Sequence, residues 1–405
     1  MSKNIKLSNA VKYSNKRINV DEISFEDFVS TDNLLQNKLG KTNAVKLPAL
    51  KGLMPGYANE NILVGNIRPY LRKIWFADKK SGCSADVLVF EVNKLNHPKF
   101  IYYTLFRDDF FDHMMKGSKG TKMPRGDKTQ ILEFLIPDFD FADQQKIAKV
   151  LSDLDAKIEL NNKINAELET MAKTLYDYWF VQFDFPDANE KPYKTSGGKM
   201  VWNEELKREI PDGWEVGNLK NIANITTGKL DSNSEVPNGK YHFYTCASEP
   251  SRTNSFAFDD NVILIAGNNA AGNFHINRFK GKFNAYQRTY ITTAKDILDL
   301  EYLYQVLKME TKSLKNQGKG SQTKFLTIGM LTGIKILTNN SETMKSFYLL
   351  VNPVFEQQVI VRRQNQELSS LRDWLLPMLM NGQVSVGAVE RELGMVAEPR
   401  ESYGK

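Results

Sequence analysis

Between residues 141 and 180 a stripe of positions, apolar but for two asparagines, advances by four and three in alternation: Ile147, Leu151, Leu154, Ile158, Asn161, Asn165, Leu168, Ala172, Leu175 and Trp179. A stripe with that step closes on one face of an α-helix and forms a coiled-coil seam. As one helix the segment 142–181 extends roughly 60 Å, longer than a single small domain requires. The pattern returns 200 residues later, where Phe347, Val351 and Val354 take the places of Ile147, Leu151 and Leu154. Asn365, Glu367, Leu368 and Leu375 likewise repeat Asn165, Glu167, Leu168 and Leu175. In the second rod Gln358 and Arg372 stand where the first has Ile158 and Ala172. Pro353 is expected to kink or restart that rod and Pro377 to end its regular part.

The repeat extends upstream. Glu60-Asn61-Ile62-Leu63 is answered by Asp260-Asn261-Val262-Ile263, Gly65-Asn66 by Gly267-Asn268 and Thr121-Lys122 by Thr323-Lys324. The last two pairs lie 202 apart, which predicts a small insertion in the second copy. β-rich runs such as Ile62-Leu63-Val64, Val87–Phe90, Val262–Ala266 and Tyr290–Thr293 alternate with helical stretches such as Phe100–Met115 and Leu300–Leu307. The organisation expected is an α/β chain of two mixed α/β domains, 1–140 and 211–340, with an internal pseudo-twofold repeat. Two long antiparallel coiled-coil helices, 141–183 and 341–381, separate the domains. Pro186, Pro192 and Gly197-Gly198 mark 184–210 as a linker arm, and 382–405 is expected to be a flexible tail. Leu151, Leu154, Ile158, Leu168, Leu175, Val351, Val354, Leu368 and Leu375 are the expected pairing residues. Asn161, Asn165 and Asn365 would fix register in the seam.

Composition narrows the class. Apolar residues at 41% and charged residues at 25% fit a soluble globular protein, and no apolar run reaches membrane-spanning length. The opening Met1-Ser2-Lys3-Asn4-Ile5-Lys6 lacks a secretory signal, and Cys83 and Cys246 are the only cysteines, so a cytoplasmic, reduced protein is expected. A net charge of +6 leans towards a polyanion partner without requiring one. Candidate chemistry is sparse. Gly40-Lys41-Thr42 lacks the earlier glycine of a phosphate-binding loop, and Asn66-Ile67-Arg68-Pro69-Tyr70 departs from the Asn-Pro-Pro-aromatic loop of adenine methyltransferases. The four histidines and two cysteines are scattered singly, without zinc-ligand spacing. Asp187 with Glu205 and Lys207 matches a loose metal-dependent nuclease pattern, but it falls in the expected linker. No catalytic residue, metal or bound cofactor is expected.

Charge distribution is more informative than its sum. Lys116, Lys119, Lys122, Arg125 and Lys128 recur every third residue through a glycine-bearing stretch that includes Thr121, a loop suited to a phosphate backbone. In the second copy Lys319, Ser321, Gln322 and Lys324 occupy the corresponding loop and add amides able to read adenine edges. A second surface follows the early strand of each copy: Asn66, Arg68, Tyr70, Arg72 and Lys73 in the first, Asn268, Asn269, Asn273 and Arg278 in the second. Arginine favours guanine and asparagine adenine, so two different half-sites would be read. A solvated loop with core aromatics is the alternative at any one position. For the chain as a whole the alternatives are a coiled-coil adaptor without a DNA role and a free-standing nuclease.

Several strings together resemble the specificity subunits of type I restriction-modification systems. They are Asn66-Ile67-Arg68-Pro69-Tyr70-Leu71, Gly82-Cys83-Ser84-Ala85-Asp86-Val87-Leu88 and Gly120-Thr121-Lys122-Met123-Pro124-Arg125-Gly126-Asp127. Gln144-Gln145-Lys146-Ile147-Ala148, Leu175-Tyr176-Asp177-Tyr178-Trp179-Phe180 and Leu371-Arg372-Asp373-Trp374-Leu375-Leu376-Pro377 complete the set. The resemblance implies two target-recognition domains, each reading half of a bipartite DNA site, with the helices as a ruler. It further implies docking of two methyltransferase subunits and association with restriction subunits. S-adenosylmethionine, ATP and Mg would then act on those partners.

Overall fold

The computed structural model describes residues 4–49, 52–120, 122–270, 272–318, 320, 323–338, 341–387, 389 and 394. The chain divides into two units, Met1–Asn162 with Arg363–Lys405, and Lys163–Arg362.

In the first unit the strand Asn4–Lys6 pairs antiparallel with Leu135–Pro137. The four-stranded sheet next to it places Val11–Tyr13, Val87–Val92, Ile62–Gly65 and Ile74–Phe76 side by side in that order. Ile62 and Val64 face one way, into a core with Phe100, Tyr103, Phe110 and Met114 from the helices Pro98–Leu105 and Asp108–Lys116. Leu63 and Val89 face the other way, against Val29, Leu34 and Tyr57. A strand buried on both faces needs a continuous apolar run, which Ile62-Leu63-Val64 supplies.

The second unit repeats this frame. Glu215–Asn218 pairs with Lys335–Thr338. The sheet runs Ala223–Thr227, Thr289–Ala294, Phe258–Ala266, Ile276–Ala285, then continues into Tyr241–Tyr244 and Ser251–Thr253. Ile263 and Ile265 meet Leu303 and Leu307 of the helix Leu300–Gln317, while Val262 and Leu264 meet Phe283 on the opposite face. By facing, Ile62 therefore corresponds to Ile263 and not to Val262. A slip of one residue in a strand exchanges its two faces, so burial decides the register that sequence similarity misassigned.

Both long helices form. The first is Phe141–Tyr176, closed by a π-helical turn Asp177–Val181, and the second is Ser341–Met380. Each contributes residues to both units. In the first unit Leu151 and Leu154 are buried in a cluster that includes Leu368, Leu371 and Leu375. The amide of Asn161 donates to Asn365 Oδ1 at 2.9 Å, and that of Asn365 to Asn162 Oδ1 at 2.8 Å. In the second unit Leu168, Ala172 and Leu175 pack with Phe347, Val351 and Val354. Gln358 is buried there and donates to the carbonyl of Asn165 and to Glu169 Oε2, each at 3.2 Å. Ile158 is half-buried. Within each unit the two segments run antiparallel.

The expectations that Pro353 restarts the rod and that Pro377 ends it are corrected, because one helix runs through both. An interior proline costs about 3 kcal/mol. Val351, Val354 and Phe355 around the first, and Leu375, Leu376, Leu379 and Met380 around the second, are all buried and offset that cost. The stretch 184–210 is likewise more than a connecting arm. Met200–Asn203 and Arg208–Pro211 form a hairpin, and Phe185 stacks on Tyr193 and Trp214 at centroid distances of 4.8 and 5.0 Å. Of the expected flexible tail, Val384, Val386 and Val389 pack against the first unit's core. No helix among the described residues is long and apolar enough to cross a membrane.

Candidate nucleic-acid interface

In the first unit the strand Ile62–Gly65 runs out at Asn66 into a short turn, Pro69–Leu71, flanked by Arg68 and Arg72 in the left-handed region, with φ of 52° and 50°. That conformation costs a non-glycine residue roughly 1–2 kcal/mol, so its neighbours must hold it. They do so through the basic loop. The Arg68 N–H donates to the Pro124 carbonyl at 2.7 Å, the Gly126 N–H to the Asn66 carbonyl at 3.3 Å, and Ile67 bridges Arg125. The two stretches inferred separately from sequence are therefore one surface.

The cations on it fall into three groups. Arg72 pairs with Asp108 at 3.0 Å, Arg125 with Asp86 at 3.1 Å and Lys119 with Asp127 at 3.3 Å. Lys73 is half-buried with its ammonium on the Thr31 carbonyl, and burial lowers its pKa. Lys116 and Lys122 are exposed and have no ion pair among the described residues. Lys128 lies over the ring of Tyr13 at 5.7 Å, and Tyr70 is half-exposed at the turn's apex. Asp127 caps the short helix Lys128–Ile131, and the Gln130 N–H, Lys119 and the Thr129 N–H hold its carboxyl below the usual range. Asn66 Oδ1 and Arg68 Nε are buried without a partner among the described residues. Thr121 lies outside the described residues.

The second unit builds the same junction. Asn268–Asn269 pairs antiparallel with Lys324–Phe325, and the Leu326 N–H donates to the Gly267 carbonyl at 2.8 Å, as Gly126 does to Asn66. The Gly267 N–H reaches the Arg288 carbonyl at 2.9 Å, as that of Asn66 reaches Asp86. Gly120 and Gly320 turn the two loops with φ of 93° and 103°, and Asp127 and Thr327 cap the following helices. Asn66 thus corresponds to Gly267, Arg68 to Asn269 and Arg125 to Phe325. The strand offset is 201 and the loop offset 200, which corrects the 202 expected from Gly65-Asn66 and Thr121-Lys122. The glycines mislead because their reasons differ. A Cβ at Gly267 would stand 2.1 Å from the Arg288 carbonyl oxygen, whereas one at Gly65 meets only the Lys73 side chain.

Asn269 Oδ1 accepts from the Asn273 N–H at 3.1 Å, Lys315 Nζ donates to Asn273 Oδ1 at 2.9 Å, and Lys324 Nζ to the Lys315 carbonyl at 2.9 Å. Lys319, Ser321 and Gln322 lie outside the described residues. Arg278 is a correction. Its side chain is 1% exposed, paired with Glu301 at 2.9 Å and stacked on Phe355 at 4.3 Å, so it holds the interior together and does not face a ligand. Burial raises the Glu301 pKa against the opposing pull of Arg278. What sequence reasoning missed is apolar: Phe325 and Ile328, 42% and 49% exposed. The signal was the every-third-residue ladder, which at an offset of 200 falls on both.

The nuclease-like residues are not gathered. Asp187 accepts from the Asn189 and Lys191 N–H groups, Glu205 pairs with Lys335, and Lys207 with Glu204. Among the described residues no three His, Cys, Asp or Glu side chains are arranged to hold a metal ion.

Comparison with known proteins gives a consistent picture. The family profile described as Type I restriction modification DNA specificity domain matches residues 33–170 and again 211–368. The specificity subunit of the EcoDI type I restriction enzyme from Escherichia coli is 34% identical over 44% of this chain and 40% of its own length. That of HindI from Haemophilus influenzae is 24% identical over 88% of this chain and 94% of its own. Among solved structures, the type I restriction-modification S subunit of M. genitalium superposes with a TM-score of 0.57 at 18% identity, covering 94% of this chain and 96% of that one. This last likeness is one of fold.

Proposed function

Since this chain belongs to the type I restriction-modification DNA specificity family, we propose that each unit reads one half of a bipartite, asymmetric DNA site, and that methyl transfer and cleavage come from partner subunits in the cytoplasm. The observation that carries this reading is the duplicated junction, in which a strand end and a returning basic loop are hydrogen-bonded into one surface in both units. Residues 1–140 and 211–340 are the recognition domains. Exposed cations such as Lys116 and Lys122 contact phosphates and set position, while fewer groups contact base edges and set sequence.

The long helices are the ruler and the docking surface for two methyltransferase subunits. Supporting this, each helix is unbroken across residues belonging to both units, and Leu160, Met171, Leu349, Ile360 and Trp374 on them are exposed. Isolated apolar residues need no explanation, but a series along paired helices fits a partner.

The test is mapping of adenine methylation in cells carrying this chain with its neighbouring methyltransferase, against cells lacking only this chain. A bipartite motif that depends on the chain is expected. Adding one heptad to both helices should lengthen the spacer and leave both half-sites unchanged. No chain-dependent motif, despite an active methyltransferase complex, would remove the reading.

A further inference from the structure

We propose that Phe325 of the second unit reads a thymine through its 5-methyl group, an inference that rests on the function above and names a recognition contact within it. Three observations carry it. Phe325 sits on the strand pair that joins the strand end to the returning loop, opposite Asn268, on the rung that Arg125 occupies opposite Ile67 in the first unit. It is 42% exposed, although a ring of that size ordinarily supplies core packing. Its surroundings are cationic and amide-bearing, with Lys324 beside it and Lys315 and Asn273 hydrogen-bonded nearby.

An exposed ring among lysine and amide side chains has a limited set of ligands. It carries no hydrogen-bonding atom, so guanine, cytosine and the polar edge of adenine offer it nothing in the major groove. The thymine methyl is the one apolar feature there, and Phe is among the side chains that meet it. Ile328 extends the same exchange, an exposed apolar residue where the first unit has Lys128. The two units thus differ at a matching position, ionic in one and apolar in the other, as unlike half-sites demand.

The experiment uses the full chain assembled with its methyltransferase, and duplexes carrying the motif found by methylation mapping. Each thymine of the second half-site is replaced in turn by uracil, which removes only the methyl group. One replacement should weaken binding of the unmodified complex by about fourfold, the worth of one buried methyl-sized group. F325A should bind more weakly and be indifferent to that replacement, while F325L, which keeps apolar contact, should retain part of the response. A half-site without thymine on either strand, indifference of the unmodified complex to every uracil, or an undiminished response in F325A would each overturn the proposal. If mapping yields no chain-dependent motif at all, the function itself fails and takes this contact with it. A motif with uracil-indifferent binding sinks only the contact. An intercalating ring would give that second result, with F325A weak and uracil silent.

Discussion

Arg125 and Phe325 occupy the same rung of the same strand pairing, yet one is a guanidinium held by Asp86 and the other an exposed ring. The contrast recurs behind the surface. In the first unit Asp155 of the long helix accepts from Tyr103 at 2.7 Å and from Arg372 at 2.8 Å. The residue 200 positions later is Phe355, and there Arg278 lies on the ring while its carboxylate partner, Glu301, comes from the domain helix. What the units share is backbone: the ladder, the loop glycine, the helix cap. Side chains are free to diverge once the main-chain hydrogen bonds are satisfied. A duplicated frame can therefore carry two different recognition chemistries without refolding.

The two ion pairs give the sharpest way to break this comparison. Arg278 and Glu301 side chains are each 1% exposed, whereas Arg372 and Asp155 are 16% and 30% exposed. Replacing Arg278 by Met strands a buried carboxylate and should cost about 3–5 kcal/mol. Arg372→Met leaves Asp155 with access to water and should cost distinctly less. Hydrogen exchange over Ile276–Ala285 and Leu300–Gln317 checks the first, and denaturant unfolding compares the two. Equal losses would mean that burial does not separate the pairs.

Legibility follows the same division between pattern and packing. The rods were readable because a step of four and three admits one structure, and Asn165 and Asn365 stood out as polar residues in an apolar stripe. The junction was half readable. Its two segments were both visible, as a charge ladder and as a strand end, but their hydrogen bonding joins residues almost 60 positions apart and leaves no local trace. The register failed because similar glycines at 65 and 267 answer different steric needs. Arg278 looked like a surface cation because nothing nearby in sequence announces Glu301, 23 residues on. Pro353 looked like a break because propensity is local, while the seam that outweighs it is not.

The seam offers the next contrast, between its Asn pair in the first unit and its Gln in the second. Asn161 is 1% exposed, and Asn365 is the acceptor of its amide. Asn365→Ala should cost about 1–3 kcal/mol by leaving a buried donor unmet. Gln358→Leu removes a donor but strands neither acceptor, since the Asn165 carbonyl lies within a continuous helix and Glu169 keeps its ion pair with Lys308, so its effect should stay near zero. Urea unfolding of the two variants decides it, and a larger loss for Gln358→Leu would reverse the assignment.

Binding sharpens the comparison at the surfaces themselves. If Lys116 and Lys122 contact phosphates, the double serine variant should lower the slope of log affinity against log salt by about 1.8, since each phosphate contact contributes roughly 0.9. Both half-sites should remain the same. Phe325→Ala, by contrast, should leave the salt slope unchanged. Titration at several salt concentrations measures both, and a slope change in the phenylalanine variant would show that the two surfaces do not differ in kind.

The last contrast is a pH dependence expected in one unit. Asp299 precedes the helix Leu300–Gln317, and burial, with Asp296 nearby, raises its carboxyl from 3.8 to about 6. The position 200 residues earlier is Lys99, which carries no carboxyl. A carboxyl whose folded pKa exceeds its unfolded one binds more protons when folded, so stability falls as pH rises between the two values, and the loss is complete above the higher. The second unit should therefore weaken between about pH 4 and 6 for this reason. Asp299→Asn should remove the step and give a stabler second unit at pH 7. Urea midpoints from pH 4 to 7.5, taken as the difference between variant and parent, isolate this group from the other carboxylates. A difference that does not change with pH would show that Asp299 titrates alike in both states.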